Sequence, residues 1–470
     1  MGTIIALFIF MNPAEEQKVE AWLTTADQKN LLTHKEPLFF KEEPNPDTPV
    51  IQVNPDVTFQ TMEGFGAAVT GSFAYLINHH MSAGQRELLI KDLFTKDGIH
   101  MNYIRHTIGA SDFSVDQEGN PSSYTYNDIE TKQDYKLEHF SVAKDADVIS
   151  LLQDLVTMNG KIKVLGTPWT APAWMKYERT LNGWYLDYQN NSVYQSYADY
   201  FVKYIQAYQD KGIPIHSITI QNEPLFTSAS YPSMSMSAEE QSRFIKEFLG
   251  PAFAKNNIAT KIIGYDHNWN EGFNYASTLL ADKETSKFID GTAYHCYKGD
   301  PSSMSDVHEA FRHKSIYLTE CSGGDWSKDF GSNLSWYMTN LLIGGTRNWA
   351  KTVLLWNLAL DESGEPANGG CTNCRGVVTI DKKSGEVKRN VEYYAIGHAS
   401  KFIDPGAVRI GSTSYKGDLE SVAFINPDDS VVLIMVNPGE SDASFQMNYD
   451  GKYFSYSLQS NSAVTFKWSS

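Results

Sequence analysis

Between about residues 62 and 400 the chain repeats one pattern: a short apolar run ends in polar or aromatic residues, and a stretch of helical character follows. The apolar runs fall at 62–70, 101–109, 161–169, 216–223, 261–269, 291–297, 315–320 and 351–360, with amphipathic stretches such as 192–211 and 238–255 between them. Strands that alternate with helices imply βαβ units and a parallel sheet, because a parallel partner is reached only through a crossover. Eight repeats imply an α/β chain whose sheet closes into a (β/α)8 barrel. An open doubly wound sheet would carry a glycine-rich phosphate turn after its first strand. Gly64-Phe65-Gly66 lacks the third glycine and no helix follows it directly, so the closed barrel is the expected fold.

After about residue 405 the pattern changes. Runs at 420–427, 430–438, 454–458 and 462–468 read as strands separated by Pro, Asp and Gly turns. This is an all-β segment, expected as a small sandwich. The runs at 19–25 and 51–59 also read as strands and lie outside the barrel count, so they are expected to pair with the C-terminal sheet. The expected division is a barrel over 61–404, a β-sandwich side domain built from 19–60 plus 405–470, and a possible signal remnant or disordered start over 1–18. A length of 470 residues accommodates both units.

The net charge is −17 with no Lys/Arg cluster, which argues against nucleic acid or an anionic membrane surface as partner and favours a neutral substrate. Aromatic residues make up 13% of the chain, with 10 Trp and 26 Tyr, enough for a large aromatic core or for stacking platforms in a sugar cleft. The apolar stretch 4–11 is too short to span a bilayer. It resembles the apolar part of an export signal without the basic residues that normally precede one, so a secreted, periplasmic or cell-surface protein with no stable membrane insertion is expected. No obligate protein partner is evident.

The four cysteines are too few for a disulfide framework. Cys371 and Cys374 lie in a glycine-rich loop and are expected either as a small local disulfide or as two free thiols. No second CxxC is present to complete a zinc site. Cys296 and Cys321 are expected as ordinary buried thiols at strand ends. No metal and no cofactor is expected.

Two of the eight runs end in a glutamate. Glu223 follows Asn222 and precedes Pro224, which cannot donate to a ladder and ends the strand. Glu320 is followed by a tight Cys321-Ser322-Gly323-Gly324 turn. These are the fourth and seventh strands, whose tips face each other across a barrel mouth, where barrel enzymes place their chemistry. Two carboxylates flanking one bond are the working parts of a glycosidase.

The chain resembles glycoside hydrolase family 30, which includes lysosomal glucosylceramidase and microbial β-1,6-glucanases. The resemblance runs from about Phe59 to the C-terminus. It is carried by Met62-Glu63-Gly64-Phe65-Gly66, Ile104-Arg105, Ser111-Asp112-Phe113-Ser114, Pro168-Trp169-Thr170-Ala171-Pro172, Gln221-Asn222-Glu223-Pro224, Ala293-Tyr294-His295-Cys296-Tyr297, Leu318-Thr319-Glu320-Cys321-Ser322 and Leu355-Trp356-Asn357. It implies a (β/α)8 barrel with a sandwich from both termini, Glu223 as general acid/base and Glu320 as nucleophile. The acid is then expected to have a raised pKa, and the nucleophile to be held ionised by Arg105. His295 and Tyr297 would donate to a carboxylate or a sugar hydroxyl, and Asn222 to the 2-hydroxyl. Asp112 and Trp169 would hold the outer hydroxyls of the −1 glucose above Trp356. Asp266, His267, Asn268 and Trp269 would shape the leaving-group side. The glycine- and cysteine-rich loop 368–378 resembles the microbial branch.

The resulting expectation is a retaining β-glycoside hydrolase acting on β-1,6-glucan. The alternatives are a glucosylceramidase or general exo-β-glucosidase and, more remotely, a non-catalytic carbohydrate-binding barrel. Intact Glu223, Glu320 and Asn222 weigh against the last of these.

Overall fold

The computed structural model describes residues 17–45, 48–129 and 133–470; the apolar stretch 4–11 lies outside them. Eight parallel strands close a barrel: β1 (Gly64–Val69), β2 (Tyr103–Thr107), β3 (Lys163–Thr167), β4 (Ser217–Thr219), β5 (Lys261–Asn268), β6 (Ile289–His295), β7 (Ser315–Glu320) and β8 (Ala350–Leu355). β8 returns to pair with β1, Thr352 opposite Gly64 through Leu355 opposite Ala67. Tyr103, Leu165, Ile263, Ala293, Tyr317 and Leu354, one from each of six strands, form a separate buried cluster that fills the barrel. At the end where the strands begin, Glu63 is ringed by Lys163, Lys261 and Lys351.

Several strands are shorter than the sequence pattern suggests, β4 most of all. β4 stops at Thr219 rather than running to Glu223. Asn222 N–H instead donates to the Pro168 carbonyl at 2.9 Å and Glu223 N–H to the Asp266 carbonyl at 3.0 Å. Hydrophobic runs do not register this, because Ile220 is still fully buried beyond the ladder. β8 stops at Leu355; Asn357, at φ 56°, turns the chain, and Ala359–Leu360 joins a separate small sheet with Val378–Ile380.

The side domain is assembled from both chain ends. Lys18–Thr24 pairs antiparallel with Ser462–Ser469, and Val50–Thr61 bridges Val408–Ser412 and Ala443–Tyr449. Its central strand, Ser430–Asn437, shows the two-residue period of a strand buried on both faces. Val431, Leu433 and Met435 face the sandwich core, while Val432, Ile434 and Val436 belong to the cluster shared with the barrel. Buried His398 fixes this junction, its two ring nitrogens 2.8 Å from Thr465 Oγ1 and 2.9 Å from Thr24 Oγ1.

Candidate active site

The site is organised around a carboxylate that the strand pattern does not single out. Along β5 and β6 the register passes from Tyr265 opposite Ala293 to His267 opposite Tyr294, so Asp266 is an extra residue in the ladder. Tyr265 and Asp266 carry φ angles of 69° and 83°, a strained conformation of the kind that collects at functional sites. The bulge brings the Asp266 carboxylate beneath the barrel mouth. There it accepts hydrogen bonds from Arg105 Nη2 at 2.9 Å, Thr219 Oγ1 at 2.7 Å, Thr319 Oγ1 at 2.6 Å and His295 Nε2 at 3.0 Å. Burial alone would raise its pKa, but the positive charges of Arg105 and His295 and these bonds hold it well below the usual carboxylate range. The Asp266 side chain is fully buried beneath the mouth, and Trp269 is buried in the core between barrel and helices. Of that group of four, His267 brings its side chain toward the Glu223 carboxylate, Nε2 3.8 Å from Oε1.

Arg105, fully buried, spans the floor. Its guanidinium donates to Glu320 Oε2, to Asn222 Oδ1 at 2.7 Å and to Asp266. Tyr297 donates its hydroxyl to the other Glu320 oxygen at 2.9 Å. Glu320 is thus fixed by a cation and a phenol in one orientation. Burial, followed by the Glu320 and Glu223 charges, raises the Tyr297 hydroxyl well above its ordinary pKa, so it stays a donor.

Glu223, at φ 45°, faces Glu320, and oxygens of the two carboxylates lie within 4.8 Å of each other. An approach this close between one oxygen of each fits the short carboxylate pairing of retaining glycosidases, roughly 5–5.5 Å, better than the roughly 6.5–9.5 Å that leaves room for an inverting water. His295 Nδ1 is 3.2 Å from Glu223 Oε1. Burial lowers the His295 pKa, but Glu320, Asp266 and Glu223 more than reverse this and lift it to about 9. Burial likewise pushes the Glu223 carboxyl up, and the bond and charge of His295, with His267 and Arg105 behind it, hold it below its ordinary value. That direction is opposite to the raised pKa expected from the sequence. These shifts make the imidazole, one hydrogen bond away from Glu223, the more basic of the two groups.

The remaining sequence candidates converge on the same mouth. Trp169 and Trp356 stack with ring centroids 5.0 Å apart, and the Arg105 guanidinium lies 4.9 Å from the Trp169 centroid. With Phe113 and Cys374 they make a small aromatic cluster of their own. Asn222 Oδ1 accepts a hydrogen bond from Arg105. Asp112 Oδ1 is buried with no hydrogen-bond partner. Burial, then the Glu320 and Glu223 charges, raise the Asp112 carboxyl well above its ordinary pKa. Gly370 presses against it: a Cβ there would fall 2.4 Å from Asp112 Cβ. Sequence reasoning missed Thr219 and Thr319, which look like ordinary strand threonines. It also missed Tyr231, which packs on the aromatic cluster and comes from a loop with no periodic signal.

All four cysteines are bonded. Cys371 pairs with Cys374, and Cys296 with Cys321 at a Cα separation of 5.3 Å. The second pair corrects the expectation of buried thiols. Neighbouring parallel strands bring His295 opposite Glu320, so the residue after each is placed to cross-link. Among the described residues, Glu223, His295 and Glu320 form the one acid–imidazole trio within metal-binding reach. Arg105 already balances Glu320 and both His295 nitrogens are engaged, so the trio is arranged for proton sharing rather than ligation.

Comparison with known families settles the lineage. Residues 62–403 match the glycosyl hydrolase family 30 TIM-barrel domain, and residues 406–466 match that family's β-sandwich domain. The chain belongs to glycoside hydrolase family 30. Within the family it is 34% identical over 434 residues to an endo-1,6-β-D-glucanase of Aspergillus fumigatus, covering 87% of this chain and 85% of the relative. It is 30% identical over 417 residues to the lysosomal acid glucosylceramidase of Mus musculus, covering 84% and 78%. The solved structure of an endo-β1,6-glucanase superposes with a TM-score of 0.87 at 33% identity, covering 96% of this chain and all of that one. This family 30 chain is a glycoside hydrolase. Among the described residues no helix is long and apolar enough to cross a membrane.

Proposed function

We propose that the protein is a retaining β-glucanase that cleaves β-1,6-linked glucan, with Glu320 as nucleophile and Glu223 as acid/base. The observation that carries the mechanism is the pair of facing carboxylates, within 4.8 Å and differently supported. Glu320, held by Arg105 and Tyr297, attacks the anomeric carbon. The bond to the leaving oxygen breaks, and that oxygen takes a proton from Glu223, which His295 resupplies through its 3.2 Å contact. In the second half Glu223 accepts a proton from water. The water oxygen displaces Glu320 from the anomeric carbon and regenerates its carboxylate. Asn222 and Asp112 hold hydroxyls of the −1 glucose against the Trp169–Trp356 pair, so binding energy is applied where the transition state forms.

The linkage follows from the similarity to endo-1,6-β-glucanases over most of the chain. The mouse relative makes glucosylceramide the competing substrate. The two disulfides support folding in an oxidising compartment, hence an exported enzyme. The test is product analysis on pustulan, cellulose, xylan and glucosylceramide. Pustulan is expected to be hydrolysed faster than the others by orders of magnitude. Faster release of glucose from glucosylceramide would overturn the linkage and leave the catalytic pair standing.

A further inference from the structure

Beside the catalytic carboxylates, beyond the tips of β6 and β7, lies a cleft of about 460 Å³, within the roughly 300–1,000 Å³ range of small-molecule sites. It begins at Tyr297, whose hydroxyl is bonded to Glu320, and its outer walls are Trp326 and Trp336. These indoles are 57% and 42% exposed, unusual for side chains that bury large apolar area when they can. Ser322, Ser327 and Asn333 also line it, and no residue lining the cleft carries a formal charge.

The platform is built rather than incidental. Trp326 rests on Gly324, where a Cβ would fall 2.0 Å from the ring. Gly323 and Gly324 pair antiparallel with Cys374–Arg375, and Arg375 is anchored by Glu392 at 2.6 Å. Flat apolar faces, short hydroxyl and amide side chains and no charge are complementary to a neutral pyranose, with C–H faces and equatorial hydroxyls. Continuity with the nucleophile through Tyr297 identifies the ligand as the same polymer. We propose that this cleft binds a glucosyl unit of the glucan beyond the one held at Glu223 and Glu320, with Trp326 and Trp336 as its stacking surfaces. This rests on the β-glucan reading above.

The experiment compares kcat/KM on an aryl β-glucoside, octyl β-glucoside and β-1,6-gluco-oligosaccharides of increasing length. The proteins are the parent, Trp326→Ala, Trp336→Ala and Trp326→Phe. The parent is expected to gain with chain length. Each alanine variant is expected to lose about tenfold or more on long oligomers relative to the aryl glucoside, the scale of one lost apolar contact face, and Trp326→Phe to recover most of it. Equal losses on every substrate, or none, would overturn the proposal. A loss confined to the octyl glucoside would overturn it in favour of an alkyl-chain groove. If the parent ignored β-1,6 oligomers of every length but cut another β-glucan, the linkage reading would fail, and the same ratio measured on that glucan would still decide the cleft.

Discussion

His295 is the residue through which the charges of the site communicate. It touches Asp266 at 3.0 Å and Glu223 at 3.2 Å, and lies 3.7 Å from Glu320. Its pKa, lifted to about 9, favours an imidazolium at neutral pH, and in the proposed mechanism the proton it shares with Glu223 is the one the leaving group takes. Because the folded pKa lies above the ordinary value of 6.5, the interaction is complete below about pH 6.5 and is lost as pH rises through about 9. The kcat/KM profile is therefore expected to fall on the alkaline side near pH 9, and His295→Asn to move that limb and cost roughly 10²-fold or more in kcat on substrates with poor leaving groups. An unchanged alkaline limb in the variant would remove His295 from the proton inventory. Most of this constellation is legible as residue types at strand tips. What the sequence conceals is the direction of the Glu223 shift, because that depends on which of two groups 3.2 Å apart keeps a shared proton.

Strand geometry explains what else stayed hidden. The bulge that turns Asp266 inward needs an extra residue in β5, and an apolar run of that length reads the same with or without it. The disulfide escaped for a related reason: Cys296 and Cys321 are 25 residues apart in sequence, and only the β6–β7 register makes them neighbours. Its location has a functional consequence. Cys296 lies between His295 and Tyr297, and Cys321 directly follows Glu320, so the bridge ties the strand tips that carry Glu320, Tyr297 and His295. Cys296→Ser/Cys321→Ser is expected to fold, since the bridge closes a short loop in an already packed barrel. It is expected to lower kcat about tenfold or more with a smaller change in KM, as small misplacements of a nucleophile do. Steady-state kinetics beside a melting curve separates this from global loss of stability; an unchanged kcat would reduce the bridge to a structural staple.

For the molecule as a whole, the eight-strand rhythm and the closing of the sandwich by both ends were readable because each is written as periodicity over many residues. Single-residue boundaries were not, as β4 and β8 show. The barrel's closed end adds a stability determinant distant from the chemistry. Burial raises the Glu63 carboxyl, but the Lys261 hydrogen bond and the charges of Lys163, Lys261 and Lys351 overcome this and hold it at about 2, against an ordinary 4.5. That shift corresponds to about 3 kcal/mol. A depressed carboxylate stabilises the fold fully above about pH 4.5, and the contribution is lost as pH falls toward 2. Glu63→Gln is expected to cost about that much in denaturant unfolding at pH 7, and the difference from the parent should shrink on acidification. A constant difference across that range would rule out the charge cluster as its origin.

The account stands on Glu320 forming a covalent bond to the sugar. Incubation with an activated 2-deoxy-2-fluoro-β-glucoside, followed by proteolysis and mass spectrometry of the peptides, tests this directly. The expected result is one fluoroglucosyl group per chain, located on Glu320, with the label accumulating because its hydrolysis is slowed. A label on Glu223, or no label together with release of the inverted anomer from natural substrate, would contradict it.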